Sequence, residues 1–109
     1  MAINVDELDF ADNPYVATEI NINKELLQLL ERSFSEGKAQ LGKTNEDVLL
    51  KTWTLRDGDQ ILMNGSKAEI IRIAFSQIVH HRAQLGVYLR LLNVPIPGSF
   101  GPSADETGF

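Results

Sequence analysis

Two adjacent histidines, His80 and His81, are the residues of this sequence whose chemistry is most readily identified, and Gln77 precedes His81 by four positions. In an α-helix, positions i and i+4 share a face, so Gln77 and His81 are expected side by side, with His80 turned about 100° away. Histidine is the commonest protein ligand of metals such as zinc, nickel and iron. His81 is therefore the first candidate metal ligand. Gln77 is a weak candidate, because a neutral amide oxygen binds transition metals poorly, and His80 is the least favoured.

The same histidines have a simpler interpretation, as core residues that are hydrogen-bonded to a backbone or carboxylate group. One histidine alone does not hold a metal, since catalytic zinc sites use three protein ligands. The sequence contains no cysteine, which excludes thiolate ligands and a cysteine nucleophile. We therefore expect no cofactor, and a divalent metal (Zn, Ni or Fe) is the alternative.

The histidines lie on a long helix predicted over residues 66–93. It begins at "SKAE", a capping box in which Ser66 and Glu69 bond each other's backbone N–H groups. It ends at Asn93, which precedes "VPIPG". Apolar residues cover well over a third of its circumference. The stripe that contains His81 comprises Ile70, Ala74, Gln77, Ile78, His81, Leu85, Tyr88 and Leu92.

A second helix is predicted over residues 22–42, where Leu26, Leu30, Phe34 and Leu41 follow helical spacing. Two helices of this kind form a hairpin and leave one side of each apolar stripe in water. A second copy of the chain would cover both stripes and complete a four-helix bundle. The helices therefore predict a homodimer.

The rest of the chain is predicted to connect or flank these helices. A short helix is expected over 44–50, followed by an extended, β-like connection over 52–65 that turns at Asp57-Gly58, either as a short two-stranded excursion or as an irregular loop. Residues 1–17 are expected to be irregular, and residues 94–109 form a tail of undecided order. The predicted fold class is all-α, a helical hairpin completed by homodimerisation.

Three stretches resemble the DinB/YfiT-like superfamily of helical-bundle proteins. They are "HHRAQLGVYLRLLNVPIPGSFGPSADE" (80–106), "EDVLLKTWTLRDGDQIL" (46–62) and "VDELDF" (5–10), the last resembling the end of the family's second helix and the segment after it. The resemblance implies a four-helix bundle, commonly dimeric, that holds a divalent metal with three histidines. It also implies relatives that are thiol-dependent transferases or isomerases using bacillithiol or mycothiol.

The family's metal-binding pattern carries over to this sequence only in part. Two of its histidines form an H-x-x-x-H pattern on the fourth helix; the second falls on His81, and the first falls on Gln77. His80 matches a neighbouring histidine that is not the usual ligand. The histidine on the second helix has no counterpart. Residues 1–109 thus resemble a single DinB-like domain that lacks the first helix and most of the second, with a degenerate metal site.

Charge and composition limit the partners and the location. The net charge is −5; residues 66–93 contain four basic residues and one acidic residue, so the acidic excess lies elsewhere. Phosphate repels such a chain, which disfavours nucleic-acid binding. No apolar run is long enough to span a membrane, and the acidic N-terminal stretch lacks the apolar core of a signal peptide. A cytoplasmic location is expected.

Two classes of function, and a third possibility, emerge from these observations. The favoured one is a binding or structural role for a homodimer without a complete metal site. The alternative is a metal-dependent, thiol-dependent transferase or hydrolase that acts on a small molecule with a site shared between chains. The third is small-molecule binding in a dry pocket lined by Leu85, Tyr88 and Trp53.

Overall fold

A computed structural model describes residues 1–106 and combines three helices with a three-stranded sheet. The elements, in chain order, are β1 (Glu7–Asp9), α1 (Asn23–Lys43), α2 (Glu46–Leu50), β2 (Thr52–Asp57), β3 (Gln60–Ser66) and α3 (Lys67–Leu91). The predicted all-α class, and with it the four-helix bundle, is therefore wrong. The chain divides into two compact units, Met1–Arg72 and the residues from Ile73 onward, and each is described by itself.

The sheet lies in the first unit, with β2 between β1 and β3. The antiparallel strands β2 and β3 form a hairpin that turns at Gly58 and Asp59, and Gly58 has a φ of 56°. A glycine with positive φ at the first central position is typical of the primed turns, whose twist matches that of the flanking strands. Of the two interpretations of residues 52–65, the two-stranded one is correct.

The third strand comes from the segment that was expected to be irregular. β1 pairs in parallel with β2, with Leu8 opposite Leu55. Thr54 N–H donates to the Asp6 carbonyl at 3.0 Å, and Phe10 N–H donates to the Arg56 carbonyl at 2.9 Å. Residues 5–10, which resemble the end of a helix in the family and the segment after it, contain a strand here, and its partner lies more than 40 residues away.

A buried lysine holds the start of the chain in place. Lys67, at the first position of α3, is only 2% exposed. Its Nζ donates to the carbonyl of Ile3 at 3.1 Å and to that of Val5 at 2.9 Å, and it pairs with Asp6 Oδ1 at 2.8 Å. The ammonium group has three hydrogens to donate, and these three acceptors match that number. The contacts with Lys67 hold the pKa of the Asp6 carboxyl below its usual range.

A second carboxylate, Asp9, ties the other end of β1 to the hairpin turn. Its Oδ1 accepts from the backbone N–H of Gly58 at 3.0 Å and from that of Ala11 at 2.9 Å. Its Oδ2 lies 3.2 Å from Nε of Arg56. The Gly58 and Ala11 hydrogen bonds, and then the Arg56 charge, hold the pKa of Asp9 below its usual range. Lys67 and Asp9 therefore fix β1 from both ends.

The first unit buries few apolar side chains, in contrast to its several buried polar contacts. Trp53, on β2, is the one buried apolar residue among residues 1–106, and it is 4% exposed. Its indole Nε1 is also buried and has no hydrogen-bond partner. Strand pairing and polar contacts, more than apolar packing, therefore hold the first unit in its observed arrangement.

Local signals start and end the helices. α2 is capped by Asn45, whose side chain accepts from Val48 N–H at 3.0 Å. At the start of α3, Ser66 N–H donates to Glu69 Oε2 at 2.8 Å and Glu69 N–H donates to Ser66 Oγ at 3.3 Å, which confirms the capping box. Within residues 1–106, no helix is long and apolar enough to cross a membrane.

The end of α3 is a left-handed turn at Asn93, which has a φ of 58°. Val94 N–H donates to the Leu89 carbonyl and Asn93 N–H to the Arg90 carbonyl. These two bonds are the pair that defines a Schellman motif. These bonds fix the direction in which the backbone continues after α3.

The stability of the first unit is expected to depend on ionised Asp9. The lowered pKa means that this contribution is present above the unfolded pKa, about 3.9, and is lost as the pH falls through the folded pKa. Asp9→Asn should therefore lower the urea midpoint most near neutral pH, and the difference from the unsubstituted chain should shrink in acid. Urea unfolding followed by Trp53 fluorescence between acid and neutral pH measures this. An equal difference at every pH would contradict it.

Candidate functional site

The three residues singled out by their chemistry lie on one exposed stretch of α3. Gln77, His80 and His81 are all exposed in the isolated chain. The two imidazole rings meet edge to face, with centroids 5.3 Å apart and planes at 61°. His81 Nδ1 donates to Gln84 Oε1 at 3.0 Å, one helical turn further on. This bond orients the His81 ring and leaves Nε2 directed away from it.

These donors do not fit a metal ion within one chain. Residues 1–106 contain no group of three or more histidine, cysteine, aspartate or glutamate side chains placed to hold one. His81 offers one imidazole nitrogen, and Gln77 adds an amide. A closed site needs more donors than these two residues supply.

His81 stands in the middle of an apolar stripe that nothing covers in the isolated chain. Ile78 is 63% exposed, Leu85 is 61% exposed and Tyr88 is 64% exposed. At 100° per residue, these three side chains and His81 fall within an arc of roughly 80°. The stripe predicted from the sequence therefore exists, and it faces outward.

The residues after α3 fold back onto it. We call residues 94–106 the tail loop. Arg82 Nη2 donates to the Gly98 carbonyl at 2.9 Å, and Arg90 forms an ion pair with Asp105. The two arginines are eight residues apart on α3, so they hold the tail loop at two points along the helix.

Carboxylates also fix the tail loop internally. Asp105 Oδ2 accepts from Ile96 N–H at 3.0 Å, and Glu106 accepts from Gly98 N–H at 2.7 Å and from Ser103 N–H at 3.0 Å. The Ile96 bond and then Arg90 lower the pKa of Asp105, and the Gly98 and Ser103 bonds lower that of Glu106. The tail, whose order the sequence left undecided, is a hydrogen-bonded structure through residue 106.

α3 and the tail loop enclose an apolar cleft of about 780 Å³ in the second unit. Its lining includes Val79, Ala83, Gly86, Ile96, Pro97 and Phe100, with Arg82 and Arg90 among the polar groups. No pattern in the sequence pointed to this cleft, because residues 94–100 carry no periodicity. The signal that was available is the pair of arginines on α3 together with the acidic pair at the end of the tail.

The residues of the third possibility, a dry pocket lined by Leu85, Tyr88 and Trp53, belong to both units. Trp53 is buried within the first unit. Leu85 belongs to the second unit, where it takes part in lining the cleft, and Tyr88 is exposed there. The candidate binding surfaces of the second unit are therefore the cleft and the outward stripe around His81.

Comparison with models of known protein families, with curated proteins and with solved structures gives no match for this chain. The resemblance to the DinB/YfiT-like superfamily rests on the quoted residues alone.

The tail loop is expected to depend on a glycine at position 98. A Cβ there would lie 2.3 Å from the Gly101 carbonyl oxygen and 2.6 Å from Glu106 Oε2. Gly98→Ala should open the loop, so that the Ile96 and Ser103 amides lose their protection from hydrogen exchange. Gly101→Ala is the matched control, because a Cβ at Gly101 has nothing within 4 Å. Retained protection in Gly98→Ala would contradict this description of the loop.

Proposed function

We propose that this protein acts as a homodimer of DinB-like type with a binding or structural role and a degenerate metal site. The observation that carries the proposal is that both long helices expose their apolar side chains in the single chain. Such faces mark interaction sites on proteins. A second copy is the occupant we propose for them.

α1 has the pattern of a helix with one covered side. No residue of α1 is buried. Leu26 is 53% exposed, Leu30 is 64% exposed and Phe34 is 65% exposed. These residues, together with Leu27 and Leu41, fall within an arc of about 100° when projected down the helix axis. An arc of this width is what an amphipathic helix turns towards a core.

α3 has a different pattern, because its exposed apolar residues lie on all sides. Ile78, Tyr88 and Leu91 face one half of the circumference, and Val79 and Val87 face the other. Their exposures range from 51% at Val79 to 78% at Leu91. A helix that is apolar all round belongs inside an assembly.

The exposed area is large enough to supply such an interface. The chain exposes 9071 Å² in total. Each chain of an obligate dimer contributes about 1,000–2,500 Å² to the interface. The apolar side chains that α1 and α3 expose are available to supply part of that area.

The degenerate site follows from what occupies the ligand positions of the resembled family. Gln77 stands where the first histidine of H-x-x-x-H would be, and the histidine of the second helix has no counterpart. We therefore propose that the protein works without a cofactor. The net charge of −5 argues against a nucleic-acid partner. The absence of cysteine fits a reducing compartment, and we propose the cytoplasm.

One observation favours the alternative, a metal-dependent and thiol-dependent transferase or hydrolase with a site shared between chains. Metal-binding histidines usually donate their other ring N–H to an oxygen acceptor, which fixes the tautomer. The bond from His81 Nδ1 to Gln84 Oε1 has this form. Two copies would bring two such imidazoles to one site.

The dimer is tested by placing a charge on the exposed stripes. The unsubstituted chain should sediment at micromolar concentration with twice the mass of 12.1 kDa. Leu30→Glu and Tyr88→Glu should each raise the dissociation constant about 100-fold or more, because an interface that buries a carboxylate loses several kcal/mol. Gln28→Glu, on the polar side of α1, is the control and should leave the constant unchanged. A monomeric unsubstituted chain would refute the proposal.

Metal content distinguishes the two functions. Elemental mass spectrometry on untagged protein, purified without chelators, should find no stoichiometric zinc, nickel or iron. About one metal ion per dimer that His81→Ala removes would support the metal-dependent alternative.

A further inference from the structure

We propose that Phe100 of each copy inserts into the cleft between α3 and the tail loop of a second copy. The inference rests on the proposed homodimer and goes beyond it, because it names the residue and the cavity that meet. The cleft is then completed by a side chain from the partner copy.

Phe100 is presented to solvent by an ordered segment. Its side chain is 94% exposed, the highest value among the exposed large apolar residues of residues 1–106. Ser99 N–H donates to the Gly101 carbonyl at 3.1 Å, which closes the backbone around Phe100. Ser103 Oγ donates to the Ile96 carbonyl at 2.6 Å and fixes the base of the loop.

An aromatic ring on a constrained loop is a pre-organised anchor. Phenylalanine can bury about 150–250 Å², and the ordering cost on binding is small because the backbone is already held. Exposed at 94%, this ring contributes nothing to the folding of its own chain. Contact with a partner is the role that its position supports.

The cleft accepts an apolar occupant better than a charged one. Val79, Ala83 and Ile96 give it apolar walls. The charge of Arg90 is matched by Asp105, and Arg82 already donates to the Gly98 carbonyl. A carboxylate ligand would have to displace these contacts. A phenyl ring would leave them in place, and a volume of about 780 Å³ accommodates it.

Symmetry makes the contact reciprocal. Phe100 also lies on the edge of its own cleft, so projecting group and receiving cavity are neighbours on one surface. A two-fold axis beside them brings identical patches together. Phe100 of each copy then enters the cleft of the other, where the ring contacts the apolar walls.

The first experiment removes the ring. Phe100→Ala should raise the dimer dissociation constant about 30-fold or more, the effect of losing a binding hot spot. Tyr15→Ala is the matched control, since Tyr15 is an aromatic residue of the first unit that is 84% exposed. Its dissociation constant should equal that of the unsubstituted protein, as measured by sedimentation equilibrium.

The second experiment places a large side chain in the cleft and tests the exchange itself. Ala83→Trp, in the cleft lining, should weaken the dimer as Phe100→Ala does. A mixture of the two variants should form a heterodimer that is tighter than either homodimer, because the Ala83→Trp copy retains its ring and the Phe100→Ala copy retains an open cleft. Native mass spectrometry measures the three species. Helical circular dichroism checks that both variants are folded.

The outcomes separate this inference from the proposed homodimer. A monomeric unsubstituted protein would refute both. A stable dimer that Phe100→Ala leaves unchanged would refute the inference alone. Two weakened variants whose mixture gains nothing would overturn it too, by showing that Phe100 meets a surface other than the cleft. A small molecule that co-purifies with the protein and is lost in Ala83→Trp, with the dimer intact, would make the cleft a ligand site and overturn the proposal.

Discussion

Folding must offset the loss of chain entropy, about 1–2 kcal/mol for each backbone residue, and most proteins do so by burying apolar surface. In residues 1–106, Trp53 is the one apolar side chain that is buried. The rest of this structure depends on that shortage. Strand pairing and charged hydrogen bonds define the first unit, and the apolar side chains of the helices stay outside. A chain with this distribution leaves most of the apolar side chains of its helices exposed, and this exposure is the reason for proposing a second copy.

The polar contacts specify geometry more than they add stability. Lys67 bonds two carbonyls and Asp6, and Asp9 bonds the turn at Gly58. Lys67 is buried, so an arrangement of the chain that removed its acceptors would leave its charge uncompensated, which is costly. The second unit repeats this logic, because two arginines and two carboxylates fix the tail loop. In both units, charged side chains of α3 hold a segment without regular secondary structure: the start of the chain in the first unit and the tail loop in the second.

The features that the sequence predicted correctly are those formed by residues close together in the chain, such as helix ends and the hairpin. The capping box at Ser66 and the exit at Asn93 each involve residues within five positions, and both are present. The glycine turn of the hairpin is also present, but it lies one residue later than predicted, at Gly58 and Asp59 instead of Asp57 and Gly58. β1 was missed because three residues have no periodicity of their own, and the pairing that makes them a strand is distant in sequence. The error in fold class has the same origin, since the hairpin alone was treated as a connection between helices.

In the candidate site, too, local features were predicted and features that depend on distant contacts were not. Helical spacing correctly placed Gln77, His80 and His81 along α3, but spacing does not measure exposure, so a core position was expected for side chains that face outward. The cleft depends on contacts between the tail and a helix, such as Arg82 with Gly98. Tertiary hydrogen bonds of this kind leave no pattern in hydrophobicity, so the arginines of α3 and the acidic pair of the tail were the one available signal.

The parallel pairing of β1 has a consequence for synthesis of the chain. Glu7–Asp9 leave the ribosome long before Thr54–Arg56, to which they pair, and before Lys67, which fixes the same segment. At about 5–20 residues per second, the acidic N-terminal segment waits several seconds for these partners. Its five carboxylates within the first 19 residues favour hydration over that interval. The first strand of the sheet therefore waits for β2 before it can pair, and for Lys67 before its N-terminal end is fixed.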